Sequence, residues 1–172
     1  MKKGVVNEYG LDSEKSWRNV KMYKIETYLD ENRFPVVEKQ LVCEERIQAN
    51  SPDKVFVMLN QYFRLGCRTE EYVNMVALDT KSNILGVFEI SHGAVNGSIC
   101  NPREIFMKAL ICGASGIIFA HSHPSGDVTS SAQDNNAEKR VAEAGKLLGV
   151  ELLDNLICSE TAYFSFREKG LL

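Results

Sequence analysis

The 172-residue sequence predicts an α+β (mixed α/β) fold, with strands and helices interleaved around a central sheet. Three observations lead there. Strand-length runs that alternate or are wholly apolar recur at 22–28, 72–78 and 116–120. Helix-start chemistry falls between them, at Ser51-Pro52-Asp53 and Asn101-Pro102-Arg103-Glu104. The polar turn Lys81-Ser82-Asn83 joins two apolar runs as a hairpin, so the sheet is not wholly parallel.

The elements follow in chain order. Residues 1–20 are polar and aperiodic and read as a loose arm, with the single Trp17 as its anchor. Residues 22–28 and 36–42 form two extended pieces around the turn cluster Asp30-Glu31-Asn32. Ser51 caps a helix, Pro52 suits its first position and Asp53 favours the positive end of its dipole. Val55, Met58, Leu59, Tyr62 and Phe63 mark its apolar face, and Gly66 reads as its stop. Strands at 72–78 and 84–90 and a loop at 92–97 come next. Asn101 then caps a helix over 105–112 that ends at Gly113, with Glu104 completing a capping box. The run at 116–120 is a buried strand, and a long helix over 131–148 stops at Gly149. Closing strands fit 150–153 or 156–158, and 163–166. The organisation expected is a lead-in over 1–50 and a folded domain over 51–172.

Composition excludes several classes. The chain is 44% hydrophobic and 25% charged, ordinary for a soluble globular protein. Twenty basic against 23 acidic residues are spread without a basic block, so charge gives no support to nucleic-acid binding. The five cysteines lie far apart with no C-x-x-C, which argues against a disulfide framework and fits a reducing cytoplasm. The N-terminus has no apolar core of a signal peptide, and no run approaches the ~20 residues that span a membrane.

The chemistry concentrates in AHSHPSGDVTSSAQD, residues 120–134. Two of the three histidines, His121 and His123, lie there one residue apart. In extended backbone residues i and i+2 face the same side, so both imidazoles can meet one point beyond a buried strand. A catalytic zinc takes three protein ligands and leaves a fourth position for water. Asp134 suits the third, since it sits in the first turn of the next helix, three residues after Ser131 in a capping arrangement. Asp127, in the loop, is a competing oxygen ligand. The bland alternatives are solvated histidines and an aspartate that serves only the helix dipole. His92, the third histidine, reads as a loop residue. Cys100 and Cys112 have no histidine at a spacing that would activate a thiol.

The string H-S-H-P-x6-S-x-x-D resembles the JAMM (MPN-plus) zinc-metallopeptidase signature. More closely, HSHPSGD, NPREIFMKAL, LLGVELLDN, AYFSF and the Gly170-Leu171-Leu172 tail are similar to the RadC family, over about two-thirds of the chain from Ser51 onward. The resemblance implies a JAB/MPN-like fold with a cytidine-deaminase-like core, and one zinc per chain on His121, His123 and Asp134. It implies Ser131 as a hydrogen-bond donor to an oxyanion. It also implies Glu71 as the acid–base glutamate, at the E-x7-D spacing to Asp79, with the neighbouring Glu70 as second choice. Ser122 stands where family members commonly carry Asn, and Asn155 where many carry His. Residues 1–50 show no helix-hairpin-helix signature, so the chain resembles a short form with a strand-rich lead-in.

The activity so implied is zinc-dependent hydrolysis of a peptide or isopeptide bond in a peptide or protein substrate by a metal-activated water. Two other readings stand beside it: a DNA repair or recombination accessory, suggested by the RadC label, and a non-catalytic MPN-like interaction module.

Overall fold

A computed structural model describes residues 21–93 and 101–172. The expectations for the arm at 1–20 with Trp17, for most of the loop at 92–97 and for Cys100 lie outside the described residues. The elements are β1 (Met22–Leu29), β2 (Pro35–Cys43), α1 (Pro52–Phe63), β3 (Tyr72–Leu78), β4 (Ile84–His92), α2 (Pro102–Ile111), β5 (Gly116–Ser122), α3 (Ala132–Leu148), β6 (Glu151–Cys158) and β7 (Tyr163–Ser165). The strands form one seven-stranded mixed sheet in the order β2-β1-β4-β3-β5-β6-β7. β1 runs parallel to β4 and β5 parallel to β6, and the other neighbours are antiparallel. The mixed α/β architecture read from the sequence is therefore the observed one.

Period-two alternation divides the core into two layers. Val73, Met75 and Ala77 of β3 with Ile117 and Phe119 of β5 pack against Ile105, Phe106 and Ala109 of α2 and Val141 of α3. The alternate residues Val76, Leu78, Ile118 and Ala120 pack against Val55, Met58 and Leu59 of α1 on the other face. β5, wholly buried, lies between β3 and β6 at the centre of the sheet. Because β5 and β6 are parallel, the chain between them must cross over, and α3 is that crossover. Its first turn is thereby delivered to the C-terminal end of β5, beside His121.

Several boundaries differ from expectation for local reasons. α1 ends not at Gly66 but at Arg64, which adopts a left-handed conformation (φ 51°), and a 3-10 turn over Leu65–Cys67 follows. Gly66 serves close approach instead: a Cβ there would overlap the Ser159 carbonyl group. His92 closes β4 rather than opening a loop, since its Nδ1 meets Glu89 Oε1 at 2.9 Å and its ring stacks on Tyr72. The alternative closing strands at 150–153 and 156–158 are one continuous β6, kept paired with β5 by a register shift between Ile117 and Ile118. The Asn101 side chain caps α2 by accepting from the Arg103 N–H, although the helix starts at Pro102, three residues before the expected 105. α3 stops where expected, at Gly149 (φ 71°), a conformation that glycine adopts without steric cost.

Glu138 lies on the sheet-facing side of α3 and is only 4% exposed, yet it forms no hydrogen bond or ion pair among the described residues. Burial pushes its carboxyl above the usual value, with Lys139 weakly opposing. The native state thus holds this proton more tightly than the unfolded chain. The associated stability is full below the ordinary carboxylate pKa and is lost as pH rises through the folded value. Glu138→Gln is expected to stabilise the protein at pH 7.5 by ~1 kcal/mol, about 2–4 °C in Tm, and to give no gain at pH 4. Thermal unfolding at the two pH values tests this, and a variant with no gain at pH 7.5 would contradict it.

Candidate metal centre

The strand β5 leads straight into the site. His121 continues the row of Ile117 and Phe119 that faces α3, and His123 lies two residues on. The imidazole Nε2 atoms of His121 and His123 lie 3.2 Å apart. Asp134 Oδ1 is 3.2 Å from His121 Nε2, and Asp134 Oδ2 is 3.7 Å from His123 Nε2. One ligand atom from each of the three residues falls within 4.8 Å of the others, and His121 is buried while the other two are half-buried. The sequence therefore picked out three side chains that the fold brings together.

Each ligand is held by a specific partner. His123 Nδ1 donates to the Asp127 carbonyl at 2.7 Å, which fixes the tautomer and leaves the Nε2 lone pair facing Asp134. That bond closes a tight turn in which the Gly126 N–H donates to the His123 carbonyl at 2.9 Å. Asp127 was the alternative ligand, but its carboxylate accepts from the Thr129 N–H at 2.8 Å, and its contribution to the centre is its backbone carbonyl. This orienting role escaped the sequence reading, because a backbone acceptor has no residue-type signature. The only available hint was the turn chemistry of Pro124-Ser125-Gly126.

Asp134 is fixed by a complete capping box. Asp134 Oδ2 accepts from the Ser131 N–H and from the Ser131 hydroxyl, both at 2.7 Å, and the Asp134 N–H donates to Ser131 Oγ at 3.1 Å. The Ser131 hydroxyl is thus directed at the carboxylate that it caps. The positive end of the α3 dipole favours an anion at this position.

Charge in the cluster is strongly polarised. Burial pushes the Asp134 carboxyl up, but hydrogen bonds from His121, His123 and Ser131 and the His121 charge more than offset it, so Asp134 stays well below the carboxylate range. Its hydrogen bond to Asp134 raises the His123 imidazole above its usual value; burial opposes the rise, and the Asp127 carbonyl and the charges of Asp134 and Glu71 add to it. Two nitrogen lone pairs and a carboxylate oxygen this close repel one another unless a cation lies between them. The donor set suits a divalent metal.

Glu71 acts on His123 electrostatically, and register explains how. Val73 pairs with His121 at the end of the antiparallel β3–β5 ladder, and Glu71 lies two residues before Val73 as His123 lies two after His121, which brings the two to the same end of the sheet. Glu70 lies in a bend before β3 and is exposed. On the opposite side of β5, the Ser122 hydroxyl accepts from the Tyr72 N–H at 3.2 Å and ties the strand ends together. Burial raises the Cys112 thiol and pushes Cys158 up to about 12, so neither offers a thiolate at neutral pH. Among the described residues no helix is long and apolar enough to cross a membrane.

Comparison with known proteins places these residues in a family. A model of the RadC-like JAB domain matches residues 49–171. A UPF0758 protein of Alkaliphilus metalliredigens is 42% identical over 122 residues, covering 71% of this chain and 52% of that protein. A UPF0758 protein of Thermotoga maritima is 44% identical over 102 residues, covering 59% and 46%, and one of Clostridium tetani is 43% identical over 103 residues, covering 60% and 45%. The chain spans about half the length of these relatives, and the matched range contains β5, the turn after His123 and the capped start of α3. By that match, which takes in nearly all of the sheet beyond β1 and β2 together with the paired histidines and Asp134, the chain belongs to the RadC-like JAB domain family.

Proposed function

We propose that this domain is a zinc-dependent hydrolase that cleaves an amide, a peptide or isopeptide bond, in a peptide or protein substrate. The observation that supports it is the convergence of two Nε2 atoms and one carboxylate at the end of β5, with a second carboxylate, Glu71, close enough for its charge to act on His123. His121, His123 and Asp134 would hold the metal. Bound there, zinc supplies a Lewis acid and an acidified water available near neutral pH.

The chain's own residues carry the remaining steps. Glu71, two residues before Val73, accepts the water proton and returns it to the leaving amine. A glutamate at this end of the sheet has no structural task that a binding module would require. Ser131 transfers its hydroxyl hydrogen bond from Asp134 Oδ2 to the developing oxyanion, while its backbone N–H keeps Asp134 in place. The Asp127 carbonyl holds His123 in the tautomer that ligation needs.

Glu71→Gln separates the metal from the chemistry. It is expected to retain one zinc per chain, read by elemental analysis, and to lower cleavage in a peptide-library screen by ~100- to 10,000-fold, the usual worth of a general base. A zinc-loaded wild-type protein that cleaves no more than Glu71→Gln would overturn the hydrolase reading. Elemental analysis also identifies the metal, since two histidines and one carboxylate are a set used by non-haem iron as well.

A further inference from the structure

A cavity of about 300 Å³ opens on the α1 face of the sheet, away from His121, His123 and Asp134. At its floor is Asn74 of β3. This side chain is only 5% exposed and forms no hydrogen bond among the described residues. Its amide lines the cavity and is engaged by no described residue, so it can donate to and accept from an occupant.

The rim defines that occupant. Lys24 and Arg68 bring two positive charges. Arg68 donates one N–H to the Phe63 carbonyl at 2.8 Å and lies 4.6 Å from the centre of the Tyr72 ring, so it is held in place with donors to spare. Lys24 contacts Glu26 at 2.7 Å, and an ammonium has further donors. The acid on the rim, Glu89, already accepts from His92. The Tyr72 ring is itself engaged by Arg68 and by His92, stacked at 5.1 Å, so the cavity does not offer it for stacking a heteroaromatic ring. What remains is the Arg68 guanidinium, with donors to spare, and the Lys24 ammonium beside an amide that can give and take one hydrogen bond, next to the apolar sides of Tyr62 and Phe63.

We propose that this cavity binds an acidic residue within a peptide, with its carboxylate on Arg68 and Lys24 and its backbone amide paired to the Asn74 side chain. The volume lies at the small end of ligand pockets and suits one side chain with a flanking amide. The site needs no metal and stands whether or not the hydrolase reading does.

The test is a titration of the metal-free, 15N-labelled full chain with N-acetyl-glutamate methylamide, read at the Asn74 side-chain amide signals. A saturable shift is expected, with N-acetyl-glutamine methylamide and glutarate each binding at least ~10-fold more weakly, because each lacks one of the two recognised groups. Arg68→Gln, on an exposed residue, should keep a dispersed spectrum and lose ~10-fold in affinity. The proposal is overturned by the absence of a saturable shift, which would mean that the cavity holds water only. Equal binding of the glutamine analogue or of glutarate, or unchanged affinity in Arg68→Gln, overturns it as well.

Discussion

Alanine at His123 is expected to abolish stoichiometric metal binding while leaving the fold intact. The side chain sits beyond the end of β5 and is half-buried, so its loss removes little packing. It contributes one of three converging donors and the only one oriented by the Asp127 carbonyl. Changes in groups that merely orient a ligand cost 10- to 100-fold in metal affinity, so loss of the ligand itself should cost at least ~100-fold. The measurement is Tm with and without zinc. A ligand at 100 times its Kd stabilises the native state by ~2.7 kcal/mol, about 5–11 °C for a chain of this size. Wild-type protein should show that increment and His123→Ala should not. An equal increment in both would remove the triad as the binding site.

The second large effect is structural and lies far from the metal. Gly66→Ala should destabilise the protein by ~3 kcal/mol, or about 6–12 °C in Tm. The added Cβ would overlap the carbonyl group of Ser159, and backbone cannot rotate aside as a side chain can. The same junction is tied by Asn60, whose Nδ2 donates to the Ser159 carbonyl at 2.9 Å and whose Oδ1 accepts from the Gly66 N–H at 2.8 Å. Forcing it apart would part the end of α1 from the β6–β7 turn and open the α1-side core. Thermal or urea unfolding measures the loss, and a Tm within ~2 °C of wild type would mean that the backbone yields at little cost.

Much of the site was legible in residue order because its geometry is local. Two histidines at i and i+2 face one side of any strand, and Ser131 with Asp134 forms a capping box in any helix start. Sequence patterning likewise located the helices and strands described, with errors at their ends and in offering two alternatives for what is one β6. The misplaced end of α1 has a clear cause. A glycine after an apolar run reads as a helix stop, but Gly66 answers to a carbonyl 93 residues later in the chain.

Residue types and their local spacing were enough to pick out His121, His123 and Asp134 as a candidate set, with the strand that leads into the histidines and the capped helix that carries the aspartate. Only the folded chain brought Asp134 within 3.2 Å of His121 and engaged the Asp127 carboxylate with the Thr129 N–H. It alone left Asn74 unpaired in a cavity with Lys24 and Arg68. The physical reason is range. Backbone geometry relates neighbours within a turn or a strand, whereas register, close approach and cavity walls join residues whose separation along the chain carries no periodic signal.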